Sequence, residues 1–119
     1  MTQLGYLPLY HKLYELAKYL YQIIRNFPKQ YKYTLGQSIL DLTWDCLDLL
    51  VEANSFLKQD RYQKVLKLST TFDSLKIRLR LAEETGLISQ KQFVHIQANY
   101  AREIGSMIGG WLKWCETNS

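Results

Sequence analysis

Two prolines, two cysteines and six glycines among 119 residues exclude several kinds of protein. So few turn formers leave no room for long linkers or low-complexity tails. Cys46 and Cys115 stand far apart and belong to no motif. That argues against a disulfide framework and for two thiols packed as small apolar groups in a reducing compartment. The N-terminus has neither the basic start nor the apolar run of a signal peptide, and no apolar stretch is long enough to span a bilayer. The expectation is a cytoplasmic, soluble protein without a membrane partner.

Chemistry-bearing motifs are equally scarce. Neither His11 nor His95 follows a carboxylate by three residues, as the Glu-x-x-His pairs of di-iron bundles require. Neither has a Cys or His at zinc-ligand spacing, so both read as surface or boundary residues. There is no Gly-x-x-x-x-Gly-Lys loop and no Gly-x-Ser-x-Gly elbow. Gly109-Gly110 lies within a helical pattern rather than after a strand. Asp41, Asp45, Asp48 and Glu52 form an acidic stripe at helical spacing. Paired carboxylates serve acid–base chemistry in some enzymes, but four in one row read as a solvated face or as partners for basic side chains. The expectation is a non-enzyme with no catalytic residues, no metal and no cofactor.

What the sequence does hold is apolar periodicity. Hydrophobic residues make up 47% and aromatics 13%, with nine tyrosines, enough for one domain over 1–119 with a real core. Stripes at spacings of three and four mark one buried face in each of four helices. They are Leu9, Leu13, Leu16, Leu20 and Ile23; Leu35, Ile39, Leu42, Cys46, Leu49, Ala53 and Phe56; Val65, Leu68, Phe72, Leu75, Leu79 and Ala82; and Phe93, Ile96, Tyr100, Ile104, Met107, Trp111 and Trp114. Pro8 suits a first helical position, and Phe27-Pro28 ends the first helix. Capping boxes are read at Thr34–Gln37, Asp60–Gln63 and Ser89–Gln92, and Gly86 as the residue closing the third helix. These signals predict helices over 8–26, 35–58, 61–85 and 90–115. The fold class is all-α: an antiparallel up-down four-helix bundle.

A further set of apolar residues lies off the core stripes. The second helix has Leu40, Trp44, Leu47 and Val51; the third has Leu66, Ile77 and Leu81; the first has Tyr10, Tyr14 and Tyr21. A wide core with half-buried flanks would absorb some of them. Large exposed apolar patches usually mark contacts, however, so these residues predict an oligomer interface. Ala98, Ala101, Gly105 and Gly109 on the fourth helix would allow close approach of another helix.

The net charge is +4. Residues 1–60 hold six Lys/Arg against six Asp/Glu, and residues 61–119 hold nine against five. Three basic groups are candidates for phosphate contact. The first is Arg25 with the loop from Phe27 to Tyr33, which interleaves Lys29 and Lys32 with aromatics, as single-strand binders do. The second is Lys58, Arg61, Lys64 and Lys67. The third is Lys76, Arg78 and Arg80, with Arg78 favoured as lying off the core. Each is also readable as an ordinary solvated face.

Several of these runs resemble one family. Leu7-Pro8-Leu9-Tyr10 and Phe27-Pro28-Lys29 leading to Thr34-Leu35-Gly36 look like its first helix and connection. The run from Leu75 to Ala82 looks like its third-helix signature, and Ile104-Gly105 with Gly109-Gly110-Trp111-Leu112 like its C-terminal end. The chain resembles the accessory variability protein (Avd) of diversity-generating retroelements, within the four-helix bundles that include proteins encoded in ribosomal RNA intervening sequences. The resemblance implies a homopentameric ring with a basic surface, without enzymatic activity. It would bind nucleic acid and the element's reverse transcriptase to support mutagenic cDNA synthesis. The modest charge and the acidic stripe depart from that picture. They keep open a structural or regulatory oligomer that binds only protein, like the intervening-sequence relatives.

Overall fold

The computed structural model describes residues 3–55 and 58–118, and all its regular structure is helical. Helix α1 is Gln3–Ile24. Helix α2 runs over 29–55 as three continuous pieces, Lys29–Tyr31, the π-turn Lys32–Gly36 and Gln37–Ser55. Helix α3 is Lys58–Glu84. Helix α4 runs over 90–118 as Gln90–Ile96, the π-turn Gln97–Ala101 and Arg102–Asn118.

Pairings between the helices give the topology. Between α1 and α4, Lys12 meets Glu103 while Tyr19 meets His95, so the numbers run in opposite directions. Between α2 and α3, Arg61 reaches Ala53 while Arg78 reaches Ser38. Between α3 and α4, Tyr62 meets Glu116 while the Asp73–Ile77 turn borders Phe93 and Gln97. Trp44 bonds Tyr21, and Gly36 lies on Ile24, which sets α1 and α2 the same way. Each helix is antiparallel to its neighbours around an up-down four-helix bundle.

The apolar stripes are the core. Leu9, Leu13, Leu16 and Leu20 are fully buried, as are Val65, Leu68 and Leu75, with Ile104 and Trp111 opposite. Phe56 lies outside the described residues. Two members of the expected interface stripe belong to this core instead: Leu40 and Leu47 are only 8% and 4% exposed. Helix α2 packs on both α1 and α3, so its buried face spans two adjoining stripes, and Leu50 joins it. Ala101, in the small-residue line of α4, is likewise buried, while Gly109 faces open space.

The helix ends correct the sequence reading in part. Ser89 forms the expected capping box with Gln92. Gly86 takes φ +80°, and the Leu87 amide bonds back to the Ala82 carbonyl across it. Pro8, however, lies inside α1, whose earlier turn is joined to the rest by Tyr6 stacked on Tyr10 with centroids 6.0 Å apart. Thr34 caps nothing: α2 has already begun at Lys29, because Pro28 at its N-cap has the fixed φ that a helix start needs. Its hydroxyl donates instead to the Gln30 carbonyl at 2.7 Å, inside the π-turned segment. Asp60 likewise falls within α3.

Candidate nucleic-acid interface

The segment read as a basic-aromatic loop is mostly the first turns of α2. Only residues 25–28 connect the helices. Phe27 is buried as a plug under the turn, and its amide bonds the Ile24 carbonyl. Helix α2 then folds back onto the end of α1 at Gly36. A methyl group there would come within 2.8 Å of Ile24 Cγ2 and 3.2 Å of the Tyr31 carbonyl oxygen. This is a close approach that only glycine allows. Arg25 lies in the connection just after α1, and Lys29 and Lys32 lie in the first turns of α2.

Arg25 and Lys29 are exposed and Lys32 is half-buried. None of the three makes an ion pair or a side-chain hydrogen bond among the described residues. No acidic residue occurs between Glu15 and Asp41 in the sequence, while Glu83 and Glu84 close α3 at the same end of the bundle. The N-terminus of α2 adds the positive end of its dipole. Tyr31 and Tyr33 are exposed alongside. A groove of about 270 Å³, lined by Tyr31, Leu35, Leu81, Thr85 and Leu87, opens between the start of α2 and the end of α3. Counting charge by halves of the sequence missed this concentration. The first half is neutral only because its cations come early and its acids late; the acid-free run was the signal.

Of the other candidates, Lys67 is exposed and makes no ion pair among the described residues, while the rest of those described are engaged. Lys76 pairs with Asp73 at 3.2 Å and Arg80 with Glu84 at 3.4 Å, one helical turn away in each case. Lys64 lies 3.9 Å from Glu52. Arg61 donates to the Ala53 carbonyl at 2.9 Å and so satisfies an orphan acceptor near the end of α2. The side chain of Lys58 lies outside the described residues. Arg78, favoured as the most available base, is half-buried. Its Nε donates to Ser38 Oγ at 2.7 Å and its guanidinium also bonds the Ser74 carbonyl. It ties α3 to α2, which the sequence could not show because Ser38 is 40 positions away. The structure therefore leaves Arg25, Lys29, Lys32 and Lys67 without ion pairs among the described residues, and engages the other candidates it describes.

His11 and His95 are both exposed; His95 packs on Tyr19, and its Nδ1 accepts from the Asn99 side-chain amide at 3.0 Å. Asp41 accepts from Gln37 at 2.8 Å, and the acidic stripe faces outward. Among the described residues no group of three or more His, Cys, Asp or Glu could hold a metal ion. Burial pushes the Cys46 thiol up to about 12, with the Asp45 carboxylate adding to the shift, and burial also raises Cys115. Neither is a ready nucleophile. No described helix is long and apolar enough to cross a membrane.

The fold defines the class: a small antiparallel four-helix bundle. Within that class, residues 7–115 match the family model for bAvd-like proteins, and the chain belongs to the bAvd-like family. The resemblance to the accessory variability protein is thereby borne out. Comparison with curated proteins and with solved structures gave no match.

Proposed function

We propose that this chain is a non-enzymatic accessory subunit of a diversity-generating retroelement. In this reading it binds template RNA or cDNA at the cationic end and acts together with the element's reverse transcriptase, as a homo-oligomer of about five copies. Family membership supports the accessory role. The observation that carries nucleic-acid binding is that Arg25, Lys29 and Lys32, close in sequence around the start of α2, make no ion pair among the described residues, with Tyr31 and Tyr33 exposed alongside. Such an arrangement neutralises phosphates and offers rings to unpaired bases. One subunit presents few contacts, so affinity would grow with assembly.

The test is a fluorescence-anisotropy titration with single-stranded RNA and duplex DNA at several salt concentrations, with and without the reverse transcriptase. Binding that weakens steeply with salt supports the reading. If the wild-type protein binds neither nucleic acid at low salt, alone or with the transcriptase, direct binding fails. The oligomer that binds only protein then becomes the better account; the outward acidic stripe of α2 favours it.

A further inference from the structure

The residues expected at an oligomer interface divide once the chain is folded. Trp44, Val51, Leu66 and Ile77 are exposed, and the oligomer of the reading above accounts for them. Leu81 instead walls the groove of about 270 Å³ between the first turns of α2 and the last turn of α3. Tyr31, Leu35, Thr85 and Leu87 complete the lining, and none of the five carries a charge. Leu35 and Leu87 are half-buried, whereas Tyr31 is 43% and Leu81 47% exposed, so an aromatic ring and a branched chain of one cleft stay in contact with water. Both walls are fixed. Thr85 Oγ1 donates to the Leu81 carbonyl at 2.7 Å, and the Tyr31 backbone is packed close against Gly36. The chain on either side is basic. Residues 25–32 hold three Lys/Arg and no acid, and residues 78–87 hold Arg78 and Arg80 against Glu83 and Glu84. Glu84 is paired with Arg80 at 3.4 Å, while Lys29 and Lys32, in the same turns as Tyr31, make no ion pair among the described residues.

We propose that this groove takes one unpaired base of a single-stranded polynucleotide, stacked on Tyr31, with the flanking phosphates on Lys29 and Lys32. The assignment rests on the nucleic-acid part of the reading above and gives the chain a means of telling a single strand from a duplex. Chemistry selects the occupant. The cleft is apolar and uncharged, and cations outnumber acids in the segments that wall it, so the occupant brings a flat apolar body together with negative charge. A nucleotide does both: every base has a π-face to lay on a ring, and lysine neutralises its phosphates. A second copy of the chain would bring the same excess of cations. An aliphatic side chain of a protein partner would fill the cleft and leave the lysines unmatched. A duplex keeps its bases paired inside the stack, where no groove on a protein reaches them without extruding one. Only its phosphates would touch this surface.

The experiment is a fluorescence-anisotropy titration of the full chain at low salt, with a single-stranded RNA of mixed sequence and with the duplex of the same sequence. Tyr31→Leu keeps the groove apolar and removes the ring. It should lower affinity for the single strand about fivefold or more, the loss of one base stack, and leave the duplex within about twofold. Leu81→Ser, which opens the far wall, should have the same selective effect, and Tyr31→Phe should keep both affinities. Both side chains are exposed, so helical circular dichroism should be retained. With the wild-type chain, a strand carrying one iodouridine should crosslink to Tyr31 under ultraviolet light. Equal losses on strand and duplex, no loss on the strand, or a crosslink confined to other segments overturns the groove while the nucleic-acid reading stands. A wild type that binds neither nucleic acid overturns both. If Tyr31→Leu leaves RNA binding intact but weakens capture of the reverse transcriptase, the groove is a protein contact and the proposal is overturned.

Discussion

Arg25, Lys29 and Lys32 stand in a stretch with no acid from residue 16 to residue 40, whereas Lys76, Arg78 and Arg80 stand among Asp73, Glu83 and Glu84. A sequence count scores both as three cations in a short span. In the folded chain the first three make no ion pair among the described residues, while in the second set two are paired and one is drawn into the seam between α2 and α3. Density of basic residues is therefore a weaker guide to an anion site than the distance to the nearest acid, measured along the helix face rather than along the chain.

The contrast stands or falls first on binding. Replacing Arg25, Lys29 and Lys32 together with Ala should lower affinity for single-stranded RNA about a hundredfold at low salt, roughly 2.7 kcal/mol, and flatten the log–log salt slope by about 2. Replacing Lys76 and Arg80 should change that slope by less than about one. Equal losses from both sets would abolish the distinction.

Gly36→Ala tests whether the bracket at the end of α1 is what gathers the first set. The added methyl has no room against Ile24, so stability should fall by about 1–3 kcal/mol in urea melts. Affinity should fall with it, even under conditions where the variant is fully folded.

Arg78→Ala asks the opposite question of the second region. Loss of the Ser38 bond should cost about 1 kcal/mol of stability. Nucleic-acid affinity of the folded variant should remain within about twofold, which is within about 0.4 kcal/mol.

The smallest effect is one of pH, and it belongs to the core rather than to either basic set. An unfolded Cys46 ionises near its ordinary value of 9.0, while the folded thiol holds its proton up to about 12. The contribution is fully present below 9 and is lost as pH rises through that window, by up to about 1.4 kcal/mol per unit. Thermal melts of wild type and Cys46→Ala should diverge in their pH dependence there and nowhere below, so salt and binding titrations run below pH 9 read the lysines and arginines alone.

Much of the fold was legible because burial repeats with the helix. Every residue of the stripes assigned to α1 and α3 is buried. Leu40 and Leu47 were misassigned because periodicity gives the centre of a buried face but not its width, which depends on how many neighbours the helix has. The Thr34 and Asp60 caps were misread because each signal is local, and a helix already running from Pro28 or from Lys58 overrides it. The candidate site was legible as composition; its selection among three basic groups was not, since partners such as Ser38 lie far away in sequence.

The π-turns Lys32–Gly36 and Gln97–Ala101 bear on how such a chain changes over generations. A π-turn is an α-helix carrying one residue too many, which is what a single-codon insertion leaves behind. Removing one residue from the first would let the helix relax to α, turning the start of α2 by about 100° relative to the remainder of the helix. The four apolar stripes lie almost entirely outside that segment. The cationic end is thus joined to the bundle by a notch that one codon can advance or retract, and relatives differing by that codon would share a core while aiming their charges in different directions.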